Sequence, residues 1–265
     1  MLAGPPTDPV PVPQAVLTLA AGKSIEPIWL NEIGGMTFRL TSPSALGYVK
    51  WTPVGSGADL VQEREKLEWA IRYTPVPRVI DSGKDDDGAW LLTEALNGDN
   101  AVAPRWKADP ACAVAAIGVG LRSMHDDLPI NDCPFSWSTK DRISALKRRA
   151  ARRDLHPSQW SPQFRGLRVW EALAKIEDAP PPEALVVCHG DACAPNTIVD
   201  DEGQWIGHVD MGRLGIGDRW ADLAVAAWST EWNFGPGWDH LVYESYGLEP
   251  DEDRIQYFRL LWDLG

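Results

Sequence analysis

Cysteine is scarce in this 265-residue chain. There are four, and no two stand at C-x-x-C spacing, which excludes the common zinc-ribbon and dithiol redox motifs. Cys188 lies in an apolar run and reads as an inert core thiol. Phenylalanine and tyrosine are sparse at five each against 14 tryptophans, so the aromatic part of any core must be built on Trp. Basic residues are outnumbered, 25 against 38 acidic, for a formal net charge of −13. An acidic surface repels a polyanion, which argues against non-specific nucleic-acid binding. Long hydrophobic runs are missing too. Stretches such as 111–121 are too short to span a bilayer, so no membrane partner is expected. Residues 1–14 are Pro-rich and lack basic side chains, unlike a signal peptide. Together these features point to a reducing cytoplasm.

The acid that is present is unevenly placed. Residues 191–265 hold 15 acidic and 4 basic side chains, net −11, whereas 1–190 are close to balanced at 23 and 21. Length suits one large domain or two small ones. Residues 1–23 read as a loosely ordered arm and first turn. Residues 24–95 alternate short apolar runs with turn residues, giving strands near 26–30, 37–40, 47–51, 79–81 and 89–94, with one helix over 58–73 stopped by Pro75 and Pro77. Beyond Asn97-Gly98, helices are expected over 109–124, 141–153, 163–176, 220–230 and 251–264, with short strands at 184–187, 197–199 and 205–209. The expected class is therefore α+β, a small antiparallel-sheet lobe with one inserted helix over 24–95 and a larger, mainly helical lobe over 96–265.

One stretch carries chemistry. His189-Gly190-Asp191-Ala192-Cys193-Ala194-Pro195-Asn196 places an amide five residues after a carboxylate, and a second strand then delivers Asp210 before a Gly turn. Phosphoryl transfer needs a carboxylate for the attacking hydroxyl's proton and hard oxygen ligands for Mg²⁺. Protein kinases meet this with the same types at the same spacing. Any one of these residues alone is more often a turn or cap; the ordered set is specific. A kinase-type site also needs a strand lysine paired with a helix glutamate. Lys50 lies inside a strand, and Glu63 follows 13 positions later on the helix, although Glu65 and Glu68 share it. Asn31-Glu32-Ile33-Gly34-Gly35 could cover phosphates or be a plain hairpin turn.

These residues resemble the aminoglycoside phosphotransferases, a family with a protein-kinase-like two-lobed fold. The resemblance spans about 24–265 and is most specific at 186–196, at 209–223 (VDMGRLGIGDRWADL), at 128–135 (LPINDCPF) and at 63–69. It implies that Asp191 is the catalytic base, that Asn196 and Asp210 hold Mg²⁺, and that Lys50, oriented by Glu63, contacts the phosphates of ATP, with GTP the alternative nucleotide. Gly34 and Gly35 would belong to the phosphate-covering loop. The backbone at Thr93 and Ala95 would read adenine. His189 and Arg213 would support the site, Arg213 alternatively bridging to Asp218 or Asp222.

The partner implied is a cationic aminoglycoside, bound by a monomer. Resemblance of the DCPF segment and of the residues before the motif favours streptomycin, phosphorylated at its 3″-hydroxyl to give resistance. Phosphorylation of kanamycin or neomycin at the 3′ position is the alternative. The 3′ enzymes typically end in an acidic and aromatic tail, of which this chain keeps Asp263 alone. Asp191, Glu231 and Asp263 are the candidate drug contacts. Trp228, Trp232 and Trp238 are either packing residues or planar surfaces for guanidinium groups. Two other classes remain: a choline, homoserine or sugar kinase of the same superfamily, and a pseudokinase, against which Lys50, Asp191, Asn196 and Asp210 argue.

Overall fold

We describe the chain from a computed structural model covering residues 4–31 and 33–265. Glu32, in the Gly-Gly loop, lies outside the described residues, as do residues 1–3. The chain divides into two compact units, 1–97 and 98–265, taken separately below.

In the first unit the described elements are α1 (Gln14–Ala20), β1 (Ser24–Leu30), β2 (Met36–Ser42), β3 (Ala45–Pro53), α2 (Leu60–Ala70), β4 (Val79–Lys84) and β5 (Gly88–Glu94). The strands form one antiparallel sheet in the order β1-β2-β3-β5-β4. Alternation along β3 sorts its side chains to two faces. Val49 is fully buried in a cluster with Val16 and Ala20 of α1 and with Phe38, Leu40 and Leu92. Lys50, next along, points to the other face and reaches α2. That helix starts where the Asp59 carboxylate accepts the Gln62 amide at 3.0 Å, an N-cap that satisfies one orphan donor.

The Pro-rich start of the chain is not a loose arm. Gly4 bridges to Leu30, Val10 and Val12 pack on the same cluster, and α1 seats Val16 and Ala20 in it. Proline there fixes extended backbone that lies on the sheet, where composition alone suggested disorder.

The second unit contains β6 (Asp99–Asn100), α3 (Pro104–Lys107), α4 (Pro110–Asp127), α5 (Thr139–Ala151), α6 (Val169–Glu177), β7 (Leu185–Cys188), β8 (Thr197–Val199), β9 (Trp205–His208), β10 (Gly215–Asp218), α7 (Trp220–Phe234), α8 (Asp239–Tyr246) and α9 (Glu252–Leu264). Helices α4, α7, α8 and α9 supply most of its buried apolar side chains, among them Ile117, Leu121, Met124, Leu223, Val242 and Leu261. Two small antiparallel ribbons, β7 with β10 and β6-β8-β9, carry the motif residues at their ends. Helix α6 begins at 169, not 163. The Glu171 side chain reaches back to the Arg168 amide at 2.8 Å and sets the start there, leaving 163–168 in turns. No helix of the described residues is long and apolar enough to cross a membrane.

Candidate active site

In the first unit, the Lys50 ammonium lies 2.5 Å from Glu63 Oε1. The three glutamates that sequence left in competition separate by burial: Glu63 is buried, whereas Glu65 and Glu68 are exposed. Helical periodicity accounts for this, because residues two and five positions on from Glu63 turn away from the sheet. Nearby, Asn31 closes the Gly-Gly loop. Its Oδ1 accepts the amides of Ile33 at 3.2 Å and Gly35 at 2.6 Å, and Gly34 takes a positive φ of 81° that a side chain would strain. The described residues of the turn thus bond to one another around Asn31. At the end of β5, the Ala95 amide donates to Leu46 O at 3.2 Å, so an adenine read at that N–H competes with the sheet. Thr93 pairs with Tyr48 on one side and Val79 on the other.

In the second unit, β7 ends at Cys188 and the chain turns through His189-Gly190-Asp191. Gly190 is required here. Its φ is 83°, and a Cβ would stand 2.6 Å from that of Arg213. The fully buried His189 accepts the Asp191 amide on Nδ1 at 3.2 Å and donates from Nε2 to Val209 O at 2.9 Å, which fixes its tautomer. His189 therefore ties the loop bearing Asp191 to the segment that delivers Asp210. A second tie is direct: the Val209 amide donates to Asn196 O at 3.0 Å.

Asp191, Asn196 and Asp210 come together through these bonds. The Asp191 carbonyl accepts the Cys193 amide at 2.8 Å and Asn196 Nδ2 at 2.9 Å. With Nδ2 so committed, Asn196 Oδ1 is the acceptor that remains. Asp210 is exposed and sits at φ 65°, ψ 55°, a left-handed conformation rare outside glycine. A carboxylate and an amide oxygen are hard donors, which fits a divalent cation of the Mg²⁺ kind. Among the described residues no cluster of three or more His, Cys, Asp or Glu forms a self-sufficient metal cage.

Asp222 is the residue sequence reasoning undervalued. It is completely buried on α7, and its carboxylate accepts the amides of His189 at 2.6 Å and Gly190 at 2.8 Å, and His125 Nε2 at 3.0 Å. Burial pushes its pKa up. The hydrogen bond from His125, the electrostatic attraction of the two imidazoles and the Gly190 amide outweigh that, and the net value lies below the usual carboxylate range. Behind it, His125 Nδ1 meets the Tyr246 hydroxyl at 2.9 Å. The available signal was one acid inside the apolar run Trp220-Ala221-Asp222-Leu223-Ala224, since a charge there needs partners. Arg213 bridges to neither Asp218 nor Asp222. Asp222 is filled by the loop amides, Asp218 is bridged by Arg254 at 3.5 Å, and Arg213 lies over the Trp137 ring, 5.8 Å from its centroid.

The thiols are unreactive by environment. Burial, then the Asp222 charge, holds Cys188 well above its ordinary value, and burial, then the Asp191 charge, does the same for Cys193.

The acids nominated for drug binding are already partnered. Glu231, near the end of α7, meets Arg259 at 3.5 Å. Asp263, on α9, accepts the Ser161 amide at 2.8 Å and the Ser161 hydroxyl at 2.7 Å. Each is followed or preceded in sequence by a tryptophan of one aromatic group. Trp232 lies 4.9 Å from Trp228 and 5.4 Å from Trp262 by ring centroids, and 47% of its surface is exposed. Arg259 stacks over Trp228 at 5.6 Å. Trp238 stands apart from this group in sequence, at the start of α8.

A small antiparallel sheet with a lysine–glutamate pair, and a helical unit presenting Asp191, Asn196 and Asp210, define a kinase-like phosphotransferase. A sequence model of the phosphotransferase enzyme family matches residues 52–258, and the chain belongs to that family. It is 36% identical over 248 residues to an aminoglycoside 3′-phosphotransferase of Streptomyces fradiae, covering 87% of this chain and 91% of that protein. It is 32% identical over 244 residues to a streptomycin 3″-kinase of Streptomyces griseus, covering 86% and 87%. Among solved structures, a 3″ aminoglycoside phosphotransferase of Streptomyces rimosus in complex with ADP and streptomycin matches with a TM-score of 0.74 and 30% identity over 94% of this chain and 97% of that one. The chain is an aminoglycoside phosphotransferase, an enzyme of the antibiotic-resistance type.

Proposed function

We propose that the enzyme transfers the γ-phosphoryl group of ATP to the 3″-hydroxyl of streptomycin in the cytoplasm. The observation that carries the choice of drug is the half-exposed Trp232 stacked against Trp262, beside two acids already spent on Arg259 and Ser161. A planar aromatic face suits the guanidinium groups of streptomycin, whereas the ammonium groups of kanamycin-type drugs call for unpaired carboxylates. The arginine that already stacks on Trp228 is an example of that chemistry within the chain. Phosphorylation at a 3′-hydroxyl is the second reading, favoured by the higher identity to the S. fradiae enzyme.

In this reading Asp191 accepts the proton of the drug hydroxyl as its oxygen bonds to the γ-phosphorus and the bridge to ADP breaks. Lys50, held by Glu63, offsets charge on the phosphates under the Gly34-Gly35 loop. The backbone at Thr93 and Ala95 would read adenine, the base displacing Leu46 O from the Ala95 amide. Asn196 and Asp210 would hold Mg²⁺, which when bound neutralises charge on the transferring group. His189 and Asp222 keep the Asp191 loop in place, so catalysis rests on positioning. Glu231 and Asp263 shape the drug side through their present partners. The test is an ADP-release assay with streptomycin, kanamycin, choline and no acceptor. The reading expects streptomycin to give the highest kcat/KM. Preference for kanamycin selects the second reading, and turnover with choline alone removes both.

A further inference from the structure

Three bonds pin the main chain of Asp191, yet none of them orients its carboxylate. The contact that reaches the carboxylate comes from two residues along: the Cys193 thiol donates to Asp191 Oδ1 at 3.2 Å. An aspartate carboxylate rotates over a broad, two-fold profile, so without such a contact its two oxygens would exchange roles. A cysteine between two buried alanines of the same turn is placed to prevent that.

The turn that carries the thiol is held from beneath. The Ser229 hydroxyl, on α7 and fully buried, accepts the Ala194 amide at 2.9 Å and Asn233 Nδ2 at 3.2 Å. A hydroxyl has two acceptor positions and one hydrogen. Both positions are occupied, so Ser229 holds the turn at Ala194, directly beside Cys193, against α7. Asn233 Nδ2 is also held by Ser229 O at 2.8 Å, which fixes the Ser229 side of this contact. The direction of the thiol bond follows from its partner: a carboxylate oxygen only accepts, so the Cys193 S–H donates.

We propose that Cys193 is a positioning residue for phosphoryl transfer: its thiol occupies Oδ1 of Asp191 so that Oδ2 alone is presented to the drug hydroxyl. The inference rests on the reading of Asp191 as the base. A thiol suits this task because it is a weak donor. It fixes the rotation of the carboxylate, where a lysine or arginine on Oδ1 would stabilise the anion and weaken it as a proton acceptor.

The test compares Cys193→Ala and Cys193→Ser with the wild-type enzyme in steady-state kinetics. Cys193→Ala is expected to lower kcat about five- to tenfold, the worth of one ordinary hydrogen bond, as befits a weak donor, with KM for drug and nucleotide within about twofold. Cys193→Ser, which keeps a donor, is expected to retain at least about half of kcat. An unchanged kcat in Cys193→Ala, or an equal loss in both variants, overturns the proposal. A readout independent of turnover is the infrared S–H stretching band that disappears in Cys193→Ser. It is expected at a hydrogen-bonded frequency in the wild type and to rise in Asp191→Ala; a band indifferent to Asp191 also overturns the proposal. The two readings fail separately. An active Asp191→Ala enzyme removes the base itself, whereas an inactive one beside a fully active Cys193→Ala removes only the role of the thiol.

Discussion

The Asp191 loop and the aromatic end of α7 and α9 solve opposite problems within one unit. Around the loop, polar groups are buried and bonded to each other: His189 and Asp222 have no exposure, and Asp222 alone satisfies three donors. Around Trp232 the Glu231 carboxylate is part-exposed and paired once, with Arg259, and its neighbours are aromatic rings. The first arrangement holds one geometry, as charge transfer in a defined direction demands. The second leaves surface available, as recognition of a variable cation demands. Fixed parts and adaptable parts are thus divided between the start and the end of the same helix, α7.

The largest effect expected from breaking this division is at Asp222. Asp222→Ala leaves two loop amides and His125 without a buried acceptor, and should cost about 3–5 kcal/mol of stability together with turnover. Chemical denaturation and an activity assay measure both. Glu231→Ala, on the adaptable side, should cost less than about 1 kcal/mol, because its ion pair with Arg259 is more than one-third exposed at the glutamate. Equal losses would erase the contrast.

Next in size is the nucleotide side. Lys50→Ala should raise the KM for ATP at least about tenfold, and Glu63→Gln should act in the same direction by less, since the lysine keeps its charge but loses its orientation. Neither should move the KM for the drug, and kinetics at varied nucleotide and drug separate the two. On the drug side, Trp232→Ala should raise the KM for streptomycin by about three- to tenfold, the worth of one cation–π contact, while leaving kcat within about twofold.

How much of this was legible in the chain differs by region for a physical reason. Asp191, Asn196 and Asp210 could be nominated by residue type and spacing, because phosphoryl-transfer chemistry constrains both. Lys50 and Glu63 were legible as a pair only in part; three glutamates competed, and burial, a three-dimensional property, selects among them. Strand β10 went unread because Gly215 and Gly217 carry no β-forming side chain, and they are needed where Trp137 main chain approaches. Helix α8 went unread because eight residues between Gly237 and Gly247 offer little periodicity. Helix α1 was hidden behind prolines that suggested disorder. The partners of Glu231 and Asp263 lie 28 and 102 residues away, so sequence could nominate these acids but not reveal them as spent.

The smallest effect concerns pH. Burial raises the Asp263 pKa, and its two bonds from Ser161 offset only part of that. For a carboxyl whose folded pKa exceeds its unfolded value of about 3.9, the stabilising contribution is full below that value and is lost as pH rises through the folded pKa. Asp263→Asn removes this titration. The difference in unfolding free energy between wild type and variant should therefore shift in favour of the variant as pH rises from about 4 toward neutrality, by about 1 kcal/mol or less. Denaturant titrations at several pH values check it, and a shift of opposite sign would place the carboxylate in a favourable pairing. The acid excess of residues 191–265 makes a related prediction: the KM for a cationic drug should rise with ionic strength.

The account turns on Asp191 as the group that takes the proton. The direct measurement is ADP release by Asp191→Ala with streptomycin and ATP, beside calorimetric nucleotide binding on the same sample. Turnover lower by at least about a thousandfold, with nucleotide affinity within a few-fold of wild type, is the predicted result. Wild-type turnover in that variant would contradict the account.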